Sequence, residues 1–367
     1  MSAGSDATRG VEVLQVGREP VDHVVAGKRD QADLVTTGTA DELVRETAED
    51  VRKPYSRRRT TGLASNAFDR RGSAAMSQED ATGEILRAQL GKVYNDNERK
   101  LDSRAVPINT LGGAGKTIVA NALHALGLNY VDAFTEALQD DGAVLPLAKH
   151  TDYRQRLNSY LEQNSAGVSR VDLDSICFFK TYSTLAELAE LPVFGIWILV
   201  RDPRDLLYSD YRYVKDVWHE EVASAHSFAD WLRIPHLGGL CPIDLWTYHF
   251  EGWPEIGGSV ARCVVTRFED LKSDPVGTMS RALSTFEIPV EGSAVRQAMD
   301  LSSFEAMRAH EDQVLARQGR SGEPGRMVRR GKVGEWKTWM TPELHAVFAE
   351  PSLWDAAEPY GYFLNED

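Results

Sequence analysis

Residues 105–117 read AVPINTLGGAGKT: a short apolar run, a glycine-rich turn, then Gly-Lys-Thr at the head of a segment with helical spacing. A strand, a tight turn and a helix in that order gather backbone N–H groups and the positive end of the helix around one anion. Gly112, Gly113 and Gly115, with the small Ala114 between them, let the backbone come close to such a ligand. Lys116 adds charge, Thr117 a hydroxyl donor, and Ile118 an apolar flank. The nucleoside-triphosphate pattern GxxxxGK[ST] requires glycine where this chain has Thr110, so the loop is a phosphate cradle that departs from that pattern.

Two further segments carry the chemistry of anion binding. In ILVRDPRDLLYS (198–209) the apolar run ends at Arg201, where ligands collect in open α/β sheets. Asp202 suits the N-cap of the next helix, Pro203 its first turn and Asp205 its dipole. Ser209 stands eight residues beyond Arg201, and a forked guanidinium with a hydroxyl donor suits a phosphate. In MVRRGKVGEWKTWMTPE (327–343), Arg329, Arg330 and Gly331 form a basic glycine-containing loop able to close over an anion.

Apolar runs alternate with helical patterns along the chain. Strands are expected in 104–109, 177–182, 193–200 and 261–268, and helices over 77–96, 117–132, 202–218 and 269–286. This predicts an α/β fold, a three-layer parallel sheet flanked by helices, occupying residues 76–367. Residues 1–75 are poor in aromatics and mixed in charge, and are expected to be a disordered or weakly helical extension.

The chain has 367 residues and a net charge of −14. Residues 1–75 carry 12 basic and 12 acidic side chains, so the whole deficit falls on the body. An acidic body argues against general nucleic-acid binding. No apolar run reaches the roughly 18 residues of a membrane span, and the N-terminus lacks the pattern of an export signal. Cys177, Cys241 and Cys263 are odd in number and widely spaced, which suits a reduced cytoplasm and provides no CxxC metal pair. A cytoplasmic protein is therefore expected.

Taken in order, these segments resemble the PAPS-dependent sulfotransferases of the cytosolic type over about residues 100–345, a family with a P-loop-like α/β fold. PAPS is 3′-phosphoadenosine 5′-phosphosulfate, the sulfuryl donor; PAP is the product left behind. LGGAGKT resembles the family's 5′-phosphosulfate loop PKSGTT, and RDPRDLLYS its 3′-phosphate site. RFEDLKSDP resembles YEDLKxDP, SSFEAM resembles TSFxxM, and RRGKVGEWK resembles RKGxxGDWK. The resemblance implies that Gly115 and Thr117 serve the 5′ side, and Arg201, Ser209, Arg329, Arg330 and Gly331 the 3′-phosphate. Ser302 stands at an adenine-side threonine, Phe268 replaces a tyrosine, and Trp336 packs the last loop. It also implies a small-molecule hydroxyl acceptor and no metal. A homodimer stays open, because the family's KxxxTVxxxE motif is met only at Lys337 and Thr341.

Three positions depart from the family pattern. Its 5′-loop lysine falls on Gly113, and Lys116 is the natural substitute for neutralising charge on the leaving phosphate oxygen. Its stacking tryptophan is Ile118. Its KTH histidine, the general base, is Tyr182, beside a retained Lys180 that can hold the sulfuryl oxygens. A phenol is a poor base at neutral pH, and His124, His150 and Asp152 are the other candidates. The aromatic-rich segments 133–175 and 215–258 can line an acceptor pocket. Two alternatives stay open: an ATP-dependent kinase, with Asp202 serving Mg²⁺, and a PAP- or PAPS-binding homologue with weak catalysis.

Overall fold

A computed structural model of the chain describes residues 102–133, 135–146, 169–181, 185–188, 191–235, 240–252, 256–258, 260–320 and 326–364, with 96, 97 and 100. Five strands form one sheet: β1 (Ala105–Thr110), β2 (Asn129–Asp132), β6 (Cys177–Thr181), β7 (Ile196–Val200) and β8 (Cys263–Arg267). Their order is β2-β6-β1-β7-β8 and every neighbouring pair is parallel. β1, β6 and β7 are buried along their whole length, as continuous apolar runs in a sheet covered on both faces require.

Alternation along β6 sends Phe178 and Phe179 into different cores. Phe178 meets Trp197 of β7 and Phe286 edge-on at 5.7 and 5.8 Å. The Trp197 indole N–H, which burial would otherwise leave unpaired, donates to Thr266 Oγ1 at 2.9 Å. Phe179 packs with Ala105, Val131, Leu138, Val144, Val171 and Cys177 beneath a second sheet. That sheet is antiparallel, with order β3 (Glu136–Leu138), β4 (Ala143–Pro146), β5 (Ser169–Arg170). The strand–helix alternation did not foretell it.

Two expected helices are divided. The segment 117–132 is helical only in α1 (Lys116–Ala125). Gly127 then takes φ +69, and the amide of Leu128 reaches back to the carbonyl of Leu123 at 2.9 Å, closing the helix end and releasing NYVD as β2. The segment 269–286 splits into α3 (Phe268–Ser273) and α4 (Pro275–Thr285). Pro275 starts the second helix and Asp274 caps it by accepting from the amide of Gly277 at 2.9 Å. α2 (Pro203–Asp216) follows β7, while α5 (Gly292–Leu301), packed on α1, and α6 (Phe304–Arg317) follow α4.

The parallel register gathers chemistry at one edge. The glycine loop leaves β1, Lys180 is the penultimate residue of β6 opposite Ile108, Asp132 ends β2 opposite Lys180, and Arg201 leaves β7. The predicted extension 1–75, and all but the end of the helix expected over 77–96, lie outside the described residues.

Candidate functional site

The glycine loop is shaped by its neighbours. Gly113 and Gly115 have φ of +85 and +91, a region costly for side-chain-bearing residues. A Cβ on Gly115 would stand 3.0 Å from the ring of Phe268. One on Gly112 would stand 2.8 Å from Asp210 Oδ1, and one on Gly113 3.5 Å from Ser209 Oγ. Ser209 therefore lies directly against the loop, on the second turn of α2. Gly115 is also the N-cap of α1 and gives that helix end no side-chain cap. Ala114 and Ile118 are buried beneath the loop, while Lys116 and Thr117 are half-buried.

Arg201 joins this loop to the C-terminal basic loop. Its Nη1 donates to the carbonyl of Gly113 at 3.0 Å and its Nη2 to the carbonyl of Lys332 at 2.8 Å. The guanidinium lies 4.4 Å from the centre of the Phe268 ring, and its Nε is buried without an acceptor. Burial lowers the Arg201 pKa from its ordinary value, yet an arginine keeps its proton in a protein. Phe268 is thus the floor under both the glycine loop and the arginine.

Asp202 acts locally, as its position predicted. It caps α2 by accepting from the Arg204 amide at 2.9 Å and forks onto the Arg204 side chain at 3.0 and 2.8 Å. Arg204 in turn lies 3.7 Å from the Trp336 ring centre, so Trp336 packs the last loop onto α2.

In that last loop, Arg329 donates to both oxygens of Glu335 at 3.1 and 3.0 Å, and Arg330 to one at 2.8 Å. Burial alone would raise the Glu335 carboxyl, but the two arginines outweigh it and hold it below the usual range. The pair of arginines is therefore arranged around an anion. Gly331 has φ +57, and a Cβ there would come within 2.6 Å of the Phe304 ring, so only glycine fits. Buried Glu311 of α6 fastens the start of the loop, accepting from the amides of Met327 and Val328 at 2.8 and 2.9 Å.

Lys180 is buried and donates to both oxygens of Asp132 at 3.0 Å. Glu136 Oε2 accepts from the Asp132 amide at 2.9 Å. Neither carboxylate stood out in the sequence, because the pairing depends on β2 lying beside β6. Tyr182, His150 and Asp152 lie outside the described residues. His124 is buried on α1 with Tyr130 edge-on at 5.3 Å, a packing position.

A family model for the sulfotransferase domain matches residues 126–351, well over half of the chain and the region from β2 through the basic loop. The chain belongs to the sulfotransferase family. Among curated sulfotransferases, cytosolic sulfotransferase 15 of Arabidopsis thaliana is 24% identical over 185 residues, 47% of this chain and 50% of that protein. The amine sulfotransferase of Oryctolagus cuniculus is 25% identical over 148 residues, 39% of this chain and 48% of that protein. The chain thus spans about half the length of these curated relatives. Two crystal structures of retinol dehydratase share the fold. Both have TM-scores of 0.50 and 16% identity; they cover 74% and 75% of this chain, which spans 85% and 86% of theirs.

Within this sulfotransferase fold, Ser302 is fully buried at the end of α5, and its hydroxyl donates to the carbonyl of Ala298 at 2.7 Å. It closes the helix from which an adenine contact was expected. Thr341 likewise caps the helix Pro342–Phe348, accepting from the Leu344 amide at 3.3 Å. Many aromatics of the expected acceptor segment are core: Phe228 and Trp231 pack with Tyr208, Tyr211 and Trp339. Trp246 and Phe250 pack together at 4.9 Å. No described helix is long and apolar enough to cross a membrane.

Proposed function

We propose that this sulfotransferase moves the sulfuryl group of PAPS to a hydroxyl of a small-molecule acceptor and releases PAP. The observation that carries the reading is Arg201, which ties the carbonyl of Gly113 to that of Lys332. One buried guanidinium thereby sets the glycine loop and the two-arginine loop side by side. A donor with two separated phosphate groups needs two such anion sites, whereas a single triphosphate does not.

The residues present fit such a donor. Gly113 and Gly115 hold the loop at positive φ, with Gly115 tight against Phe268, the Nε of Arg201 has no acceptor, and Arg329 and Arg330 already converge on one carboxylate. Gly112 to Ile118 would hold the 5′ side, and Arg201, Ser209, Arg329, Arg330 and Gly331 the 3′-phosphate, with Phe268 beneath. PAPS supplies the activated sulfuryl group. Lys116, at the start of α1, places positive charge where a leaving phosphate oxygen gains negative charge. Lys180, oriented by Asp132, brings an ammonium to the neighbouring strand end. A loose transition state, by analogy with phosphoryl transfer, asks little of a base when the acceptor is a phenol, which suits Tyr182 in place of histidine.

Residues 76–367 form the catalytic domain in this reading, with 1–75 a dispensable extension. The unpaired cysteines support a cytoplasmic setting. The kinase reading loses its metal candidate, since Asp202 is committed to capping α2 and pairing with Arg204. A second reading, a donor-binding homologue with weak transfer, draws on Lys180 being engaged by both oxygens of Asp132.

The test is transfer from radiolabelled PAPS to a panel of phenols and alcohols, with parallel titrations of PAP and ATP–Mg²⁺. Tight ATP binding without PAP binding sinks the reading, and PAP binding with no transfer favours the second one. Lys116→Ala is expected to abolish transfer; a near-wild-type rate removes Lys116 from its role.

A further inference from the structure

The carboxylate of Asp205 is used far from its own helix. By position it belongs to the first turn of α2, where an acidic side chain serves the helix dipole. Instead its Oδ2 accepts from the amide of Gly334 at 2.7 Å and its Oδ1 from the amide of Trp336 at 2.8 Å. The side chain is completely enclosed, with Arg201 Nη2 3.7 Å from Oδ2. Gly334, at φ +70, begins the short 3-10 turn Glu335–Thr338 and has no side chain with which to cap it. Asp205 is that cap, supplied from another element.

What the cap holds is the residue between the two amides. Glu335 sits between Gly334 and Trp336, and it is the carboxylate on which Arg329 and Arg330 converge. The line of contact therefore runs from Asp205 through the turn to Glu335 and on to the two arginines. Arg201 follows the same route from the other side, through the carbonyl of Lys332.

We infer that Asp205 is the positioning residue of the 3′-phosphate side: it touches no part of the donor, but fixes the turn that sets Arg329 and Arg330 in place. The inference rests on the proposed use of PAPS. It predicts that Asp205 matters for a ligand with a 3′-phosphate and not for the same ligand without one. A buried carboxylate accepting two amides cannot be replaced by an amide side chain, which offers one acceptor and turns a donor toward the second N–H.

The test titrates wild type, Asp205→Asn and Gly334→Ala with PAP and with adenosine 5′-phosphate, which lacks only the 3′-phosphate. Gly334→Ala strains the same turn from the opposite side, at a site where an added Cβ meets nothing within 4 Å, so it keeps the test open should Asp205→Asn fold poorly. Each variant is expected to lose at least tenfold in PAP affinity, with adenosine 5′-phosphate binding changed less than twofold. With PAPS as donor, KM is expected to rise with kcat within about threefold. The double variant is expected to lose less than the sum of the single losses, because both act on one contact. Equal losses for both nucleotides, or an unchanged preference for PAP in both variants, overturn the inference. A wild-type protein without preference for PAP overturns the underlying reading, a distinct result because it appears before any substitution.

Discussion

Arg201 donates from Nη1 to the carbonyl oxygen of Gly113 at 3.0 Å, across 88 residues of sequence. The contact couples the end of β7 to the turn after β1, and the second arm of the fork couples both to Lys332. A lysine keeps the charge but lacks the planar fork that holds two carbonyls in fixed geometry.

Arg201→Lys is therefore expected to weaken PAP binding by about 10- to 100-fold, the loss of one charge-assisted contact. The melting temperature should fall as well, because the contact that ties the two loops together is weakened. Calorimetric titration and thermal unfolding check both, and an unchanged PAP affinity would show that Arg201 serves only to brace the loops.

The Lys180–Asp132 pair is buried at the end of β6. Asp132 accepts from Lys180 at both oxygens, and breaking a buried ion pair by removing one partner costs about 3–5 kcal/mol. Asp132→Asn should approach that loss in denaturant unfolding. The paired replacement Asp132→Leu with Lys180→Met should recover much of it while transfer stays absent. Recovery of transfer in the double variant would show that Lys180 acts only in folding.

His249 supplies a pH prediction. Burial lowers its pKa to about 3, while an unfolded histidine titrates near 6.5. Between those values the unfolded chain holds the extra proton, so this group's contribution is present above about pH 6.5 and is lost as pH falls toward 3. The slope is at most about 1.4 kcal/mol per pH unit. His249→Phe should remove that slope, measured by urea unfolding at pH 5 and pH 7. An identical pH dependence in the variant would mean that His249 gains its proton as readily folded as unfolded.

Much of the fold was legible because its signals are local. Continuous apolar runs gave β1, β6, β7 and β8, and Asp202-Pro203 gave the start of α2. The end of α1 was misplaced because NYVD continues the apolar spacing of the helix. Gly127, which stops it, reads as a tolerated helix residue until its φ is known. Asp274-Pro275 is a cap and first turn rather than an interior step, and that distinction also needs the backbone.

The site divides along the same line. Gly112–Thr117, Arg201 with Ser209, and Arg329–Gly331 were readable because each is a short motif whose residue types suit an anion. Asp132 and Glu136 were invisible, since no spacing links them to Lys180, 48 and 44 positions away. Asp205 was read for its local helix and Glu335 as part of a motif, and neither reading contained its partner.

The sequence by itself determined which segments carry residue types suited to an anion and in what order they come, because propensity, glycine freedom and charge act within a few residues. Only the tertiary structure decided that these segments lie together, with Arg201 donating to the carbonyls of both Gly113 and Lys332. Parallel pairing of β6, β1 and β7 brings distant strand ends together, and a buried fork such as Arg201 finds its acceptors in whichever loops that pairing supplies.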